Sequence, residues 1–99
     1  MLNISKTRED SALTVALEGR LDTTTAPELE AALKEALPGV GELTIDMSKL
    51  EYISSAGLRV LLSTQKVMNK QGEMKITGVN ETIMEIFEVT GFSDILTIV

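Results

Sequence analysis

The chain has 99 residues, enough for one core without metal or disulfide support and too short for two ordinary domains. It contains neither cysteine nor histidine, which excludes disulfides and Cys-ligated zinc and removes the commonest general base and metal ligand. Nine basic against fifteen acidic residues leave a net charge of −6, so a phosphate backbone would be repelled and direct nucleic-acid binding is not expected.

Aromatic residues are only 3% of the chain (Tyr52, Phe87 and Phe92), so the core must be built from aliphatic side chains. No apolar run approaches the roughly 20 residues that cross a bilayer. The opening MLNISKTRED lacks the basic and apolar regions of a secretory signal. A cytoplasmic, monomeric protein with no membrane contact is expected, forming a single domain over residues 1–99.

Leu2 and Ile4 suggest a short strand, and Leu13, Val15 and Leu17 share one face of a second; Thr7–Ser11 could join them as a hairpin. Thr25 followed by Glu28 has the spacing of a capping box. It opens a helix with Leu29, Leu33 and Leu37 in one stripe, closed by Pro38-Gly39. Leu43, Ile45 and Met47 alternate as a strand that should end near Met47, leaving Leu50, Tyr52 and Ile53 on a loop. A second helix runs from about Ser55 to Gln71, with Leu58, Leu61, Leu62 and Met68 on its buried side and Gly72 as a left-handed cap. Met74 and Ile76 mark a strand. Asn80 can cap a third helix carrying Ile83, Ile86 and Phe87 and closed by Gly91, and Ile95 to Val99 is a last strand or short edge segment.

The order β-β-α-β-α-β-α-β predicts an α/β fold: a mixed sheet, mostly parallel through right-handed crossovers, with an antiparallel N-terminal edge and helices packed against it. Architecture alone assigns no activity.

The most informative stretch is 46–62. Two serines stand at the mouth of the second helix, and either Ser54 or Ser55 would serve as N-cap. Gly57 in the first turn costs up to about 1 kcal/mol relative to Ala, and close backbone approach by a partner or ligand is one reason to have it. A helix N-terminus carries roughly half a positive charge and several unpaired N–H groups, so a phosphate added there need not melt the helix. Such a group brings about −1.5 to −2 charge.

The run Tyr52-Ile53-Ser54-Ser55-Ala56-Gly57-Leu58 resembles the signature loop of STAS-domain anti-sigma factor antagonists. Ile45-Asp46-Met47-Ser48 is similar to that family's hydrophobic-Asp-Leu-Ser strand end, and Gly19-Arg20-Leu21-Asp22 to its turn before the first helix; Gly72 and Gly91-Phe92 also fall at the family's places. The resemblance implies a STAS-like mixed sheet and a switch module, not an enzyme: no catalytic residue, cofactor or metal is expected. It implies Ser55 as the phosphorylation site. Where many members have Asp before that serine, this chain has Ser54, a second candidate acceptor. Asp22 matches an acidic residue implicated in kinase contact, and an Asx turn ahead of Thr25 accounts for it equally well. The implied partners are an anti-sigma factor that is itself a serine kinase, bound through Asp22, Thr23, Thr24, Ser54, Ala56, Gly57, Leu58 and Arg59 around Ser55, and a phosphatase for reset. The alternative is a STAS scaffold or regulatory subunit of a stressosome-type assembly or ABC transporter ATPase.

Enzymatic patterns are missing. Ser54-Ser55-Ala56-Gly57 is not a Gly-x-Ser-x-Gly elbow, no phosphate-cradling NTPase loop occurs, and Asp46 and Glu51 are a carboxylate pair only if the fold brings them together.

Overall fold

The computed structural model describes residues 2–99. Strand β1 (Leu2–Glu9) turns back at Asp10 and Ser11 into β2 (Ala12–Leu21), with Ile4 opposite Leu17 and Glu9 opposite Ala12. The hairpin is tighter than the Thr7–Ser11 connection anticipated. Asp10 takes a left-handed φ of 53°, a conformation that Asp tolerates better than most residues.

Helix α1 (Ala26–Ala36) leads to β3 (Glu42–Ile53), then α2 (Ser55–Gln71), β4 (Glu73–Thr77) and α3 (Glu81–Thr90). The sheet order is β1-β2-β3-β4, antiparallel at the first pair and parallel at the other two. Right-handed crossovers that all step the same way across a sheet place their helices on one face. Burial alternates accordingly. Leu13, Val15 and Leu17 on β2, Leu43, Ile45 and Met47 on β3, and Met74 and Ile76 on β4 are buried, whereas Thr14, Glu18 and Lys75 between them are exposed. Against the covered face pack Leu29 and Leu33 of α1, Leu61 and Met68 of α2, and Ile83 and Phe87 of α3. Each such side chain contributes about 1.5–3 kcal/mol when fully buried.

Three expectations need correction. First, residues 48–53 are strand, not loop. They pair with β2 as Lys49–Glu18, Leu50–Gly19, Tyr52–Arg20 and Ile53–Leu21, past register shifts on either side of the Glu18–Gly19 pairs. Each shift adds a residue to β3, so its buried positions run 43, 45, 47, 50 and 53 and the period-2 signal is lost. Second, Thr25 makes no side-chain capping bond to α1. Its hydroxyl is turned backwards, accepting from the Asp22 N–H at 2.8 Å and donating to the Arg20 carbonyl at 2.9 Å. Third, Gly72 is extended (φ 173°) rather than left-handed. Its glycine is required because a Cβ there would overlap the Gly41 carbonyl. The C-terminus takes the second of its two anticipated forms, a short edge segment rather than a full strand. After a 3-10 turn at Phe92–Asp94 the chain stays coiled as far as Leu96, and only Ile98 bridges to Ile76.

The third helix matches its sequence signals. The Asn80 Oδ1 accepts from the Ile83 N–H at 2.9 Å, and Gly91 takes the left-handed cap at φ 82°. The Asn80 amide also donates to the Leu50 carbonyl at 3.0 Å, tying α3 to the bulged half of β3.

Candidate functional site

Because β2 and β3 are parallel and adjacent, they end side by side at Leu21 and Ile53, and each feeds a helix at that edge. The Ser54 N–H donates to the Leu21 carbonyl at 2.9 Å, so the two connections are bonded to each other. The N-termini of α1 and α2 are thereby neighbours at the carboxyl ends of the strands, the usual position of sites in open α/β sheets.

Asp22 organises the first connection. Its Oδ1 accepts from the Thr24 hydroxyl at 2.7 Å, the Thr24 N–H at 3.0 Å and the Thr25 N–H at 3.1 Å. These bonds, the Thr24 hydroxyl foremost, hold its carboxyl below the ordinary value. This is the Asx-turn geometry anticipated as one of two readings of Asp22, and it supplies the anchoring that the Thr25 cap does not. Thr23 and Thr24 are exposed beside it.

The two serines differ sharply. Ser54 occupies the N-cap position with φ −100° and ψ 176°, yet its side chain makes no capping bond. Its Oγ has less than 1 Å² of accessible surface and no hydrogen-bond partner. Ser55 is the first residue of α2 and is exposed. The first intrahelical bond of α2 runs from the Leu58 N–H to the Ser54 carbonyl at 3.0 Å, so the N–H groups of Ser55, Ala56 and Gly57 precede the ladder. No acidic side chain lies in the first turn of α2, whereas Glu28 and Glu81 stand there in α1 and α3. The positive end of α2 is left without a carboxylate of its own.

Gly57 and Leu58 do not belong to the surface: neither faces a partner, and Leu58 lies on the buried side of α2 as its stripe predicts. Leu58 is 6% exposed and points into the core. A Cβ on Gly57 would lie 2.7 Å from Leu21 Cγ and 2.8 Å from Ile53 Cγ1. The close approach that demands glycine therefore comes from the ends of β2 and β3, not from a ligand. Ala56 is half-buried and Arg59 exposed; with Thr23, Ala26, Pro27 and Ser63 they line a cleft of about 200 Å³ between the helices.

One further pair lies at the same strand ends: the Arg20 guanidinium sits 4.5 Å from the Tyr52 ring centroid, a cation–π contact. The two residues face each other across β2 and β3. Sequence reasoning missed it because Tyr52 was assigned to a loop. Asp46 and Glu51 form no carboxylate pair; the Asp46 Oδ1 accepts from the Ser48 N–H at 2.9 Å, which lowers its pKa. Among the described residues no three His, Cys, Asp or Glu side chains are grouped as a metal site, and no helix is long and apolar enough to cross a membrane.

A family model described as "Mlab, STAS domain" matches residues 4–98. The chain belongs to the STAS-domain family. A relative from Staphylococcus aureus (strain NCTC 8325 / PS 47), named anti-sigma-B factor antagonist, is 34% identical over 97 residues, spanning 96% of this STAS domain and 90% of the relative. The crystal structure of an anti-sigma factor antagonist from Mycobacterium paratuberculosis superposes with a TM-score of 0.90 at 23% identity, covering 99% of this chain and 85% of that one. SpoIIAA, an anti-sigma factor antagonist, matches in its unphosphorylated form with a TM-score of 0.77 at 15% identity, over 100% of this chain and 87% of that one. Its Bacillus phosphorylated form matches with the same TM-score and identity, over 98% and 91%. These structures share the fold with this STAS domain.

Proposed function

We propose that this STAS domain is an anti-sigma factor antagonist whose switch is phosphorylation of Ser55. Unphosphorylated, it binds an anti-sigma factor that is also a serine kinase, in the cytoplasm, and a sigma factor is released. Once Ser55 carries phosphate the complex separates, and a phosphatase restores the hydroxyl. The chain is the substrate of this chemistry and catalyses none of it.

The observation that carries this reading is the contrast between the serines. Ser55 offers an exposed hydroxyl at a helix N-terminus that has no acid of its own, whereas the Ser54 oxygen is sealed from solvent. A kinase can reach the first and not the second. Phosphate on Ser55 would take net charge from −6 to about −8 and place the added charge beside free N–H groups, so the helix tolerates it. A partner fitted to the neutral hydroxyl would meet a dianion that it cannot desolvate cheaply. The contacting surface comprises Asp22, Thr23, Thr24, Ser55, Ala56 and Arg59. That the relative at 34% identity is named anti-sigma-B factor antagonist, and that a protein of this fold exists in a phosphorylated form, both support the reading.

The test is incubation with the candidate kinase and ATP, followed by mapping the phosphate by mass spectrometry. Label is expected on Ser55, retained in Ser54→Ala and lost in Ser55→Ala. Persistent stoichiometric label in Ser55→Ala would refute the assignment.

A further inference from the structure

Helix α2 concentrates positive charge in a chain that is acidic overall. Its 17 residues include Arg59, Lys66 and Lys70 and no aspartate or glutamate, although the whole chain carries −6. Positions 59, 63, 66 and 70 follow the i, i+4, i+7, i+11 spacing of one helical stripe, and all four residues are exposed. Ser55 heads the same stripe, one turn before Arg59.

Beside the stripe runs a groove between α1 and α2. The cleft that begins at Thr23 and Ala56 shares Glu30, Val60 and Ser63 with a second hollow of about 100 Å³, floored by Leu33, Leu37 and Val60 and walled by Val67. The floor is nearly buried, but Val67 is 42% exposed and offers its side chain to the solvent. From Ala56 to Val67 the groove follows α2 for about three turns, or roughly 16 Å. On the α1 wall stand Glu30 and Lys34, four residues apart and of opposite sign, so that wall adds no net charge. Glu28 and Glu35 fall on the other side of α1 and do not line the groove. The groove is apolar inside and positive along its α2 lip.

We infer that this groove receives an acidic amphipathic helix of the anti-sigma factor, about three turns long. Its aliphatic side chains lie against Val67 and over the floor, and its carboxylates face Arg59, Lys66 and Lys70. The inference rests on the function proposed above and names the chemistry of the partner segment. Continuity with the surface around Ser55 places the groove within one interface, and the local charge selects the sign of the occupant. A phosphate on Ser55 pairs with Arg59 one turn away and repels the carboxylates beside it, so the switch acts on the same ligand. Two other occupants fit less well. An anionic bilayer is flat, cannot enter a hollow between two helices, and extends past the stripe over the acidic remainder of the chain. A second copy offers α3, with exposed Glu81, Glu85, Glu88 and Val89, but brings a further net charge of −6 with it.

The test is calorimetric binding of the candidate anti-sigma kinase, loaded with a non-hydrolysable ATP analogue, to the unphosphorylated chain at about 0.05 M and about 0.5 M salt. Lys66→Glu/Lys70→Glu leaves Ser55 and the core untouched and should weaken the complex at least tenfold at low salt and less at high salt. Val67→Asp should weaken it at least tenfold at both. Lys6→Glu/Lys75→Glu, the same charge change at exposed residues that do not line the groove, should bind as the parent does. Circular dichroism checks that each variant is folded. Parent affinity in both groove variants, with binding still lost on phosphorylation of Ser55, would overturn the groove and leave the proposed switch standing. A parent chain that does not bind the kinase would refute both. Self-association, or binding to phosphatidylserine vesicles, that Lys66→Glu/Lys70→Glu abolishes while kinase affinity stays unchanged would overturn the inference in favour of a second copy or a membrane.

Discussion

Replacing Gly57 by Ala sets two physical effects against each other at the mouth of the proposed switch. Helix propensity alone favours the substitution by about 1 kcal/mol, because glycine loses more backbone entropy than alanine on entering a helix. Packing opposes it. The new methyl would stand 2.7 Å from Leu21 Cγ, 2.8 Å from Ile53 Cγ1 and 3.0 Å from Leu21 Cδ2. Both neighbours are core side chains, 0% and 1% exposed, and the nearest atoms are branch or mid-chain carbons that cannot swing aside. Overpacking of this kind costs about 1–3 kcal/mol, and contacts this short at two rigid atoms belong at the upper end. The net expectation is a loss of about 1–2 kcal/mol, or roughly 5–12 °C in Tm for a domain this size. Urea denaturation gives the free energy, and an unchanged slope shows that the unfolded state is not the source. Ser63→Ala, on an exposed position of the same helix, serves as control and should stay within about 0.5 kcal/mol. A Gly57→Ala variant as stable as the parent, or more so, would show that α2 does not press on the ends of β2 and β3.

Ser54→Ala should leave stability unchanged or raise it by up to about 1 kcal/mol, since it removes a sealed hydroxyl without a partner; a loss near 1 kcal/mol in thermal melts would instead mark a working N-cap. Asn80→Ala, which removes both the cap on Ile83 and the bond to the Leu50 carbonyl, should cost about 1–2 kcal/mol in the same assay. The depressed carboxyls of Asp22, bonded by Thr24, and Asp46, bonded by the Ser48 N–H, make folding pH-dependent. Their folded pKa values lie below the unfolded ones, so their contribution is complete above the ordinary carboxylate range and is lost as pH falls through the folded values. Acid titration of Tm should show a smaller drop below pH about 4 in Asp22→Asn than in the parent.

The helices were legible where local chemistry decides them. The Leu29–Leu33–Leu37 stripe, the span from Ser55 to Gln71, and the Asn80 and Gly91 caps all depend on neighbours within one or two turns. The second half of β3 was hidden because two extra residues break its alternation, and only pairing with β2 reveals it as strand. Thr25 looked like a capping residue, yet its hydroxyl is spent on Arg20 and on the Asp22 N–H, while Asp22 supplies the anchoring. Gly57 suggested close approach by a partner or ligand, whereas the approaching group is Leu21, distant in sequence and adjacent in space. The sequence favoured Ser55 over Ser54 only through the family resemblance, not through local chemistry. Two adjacent hydroxyls read alike in one dimension, and the burial that separates them comes from packing around the ends of β2 and β3.

In the proposed switch a dianion on Ser55 abolishes recognition without unfolding the domain. The most direct measurement of this is the affinity of the anti-sigma factor for the chain before and after stoichiometric phosphorylation of Ser55, with far-ultraviolet circular dichroism recorded on both. The expected result is a loss of at least a hundredfold, about 2.7 kcal/mol, with superimposable spectra. Equal affinities for the two forms would contradict the account.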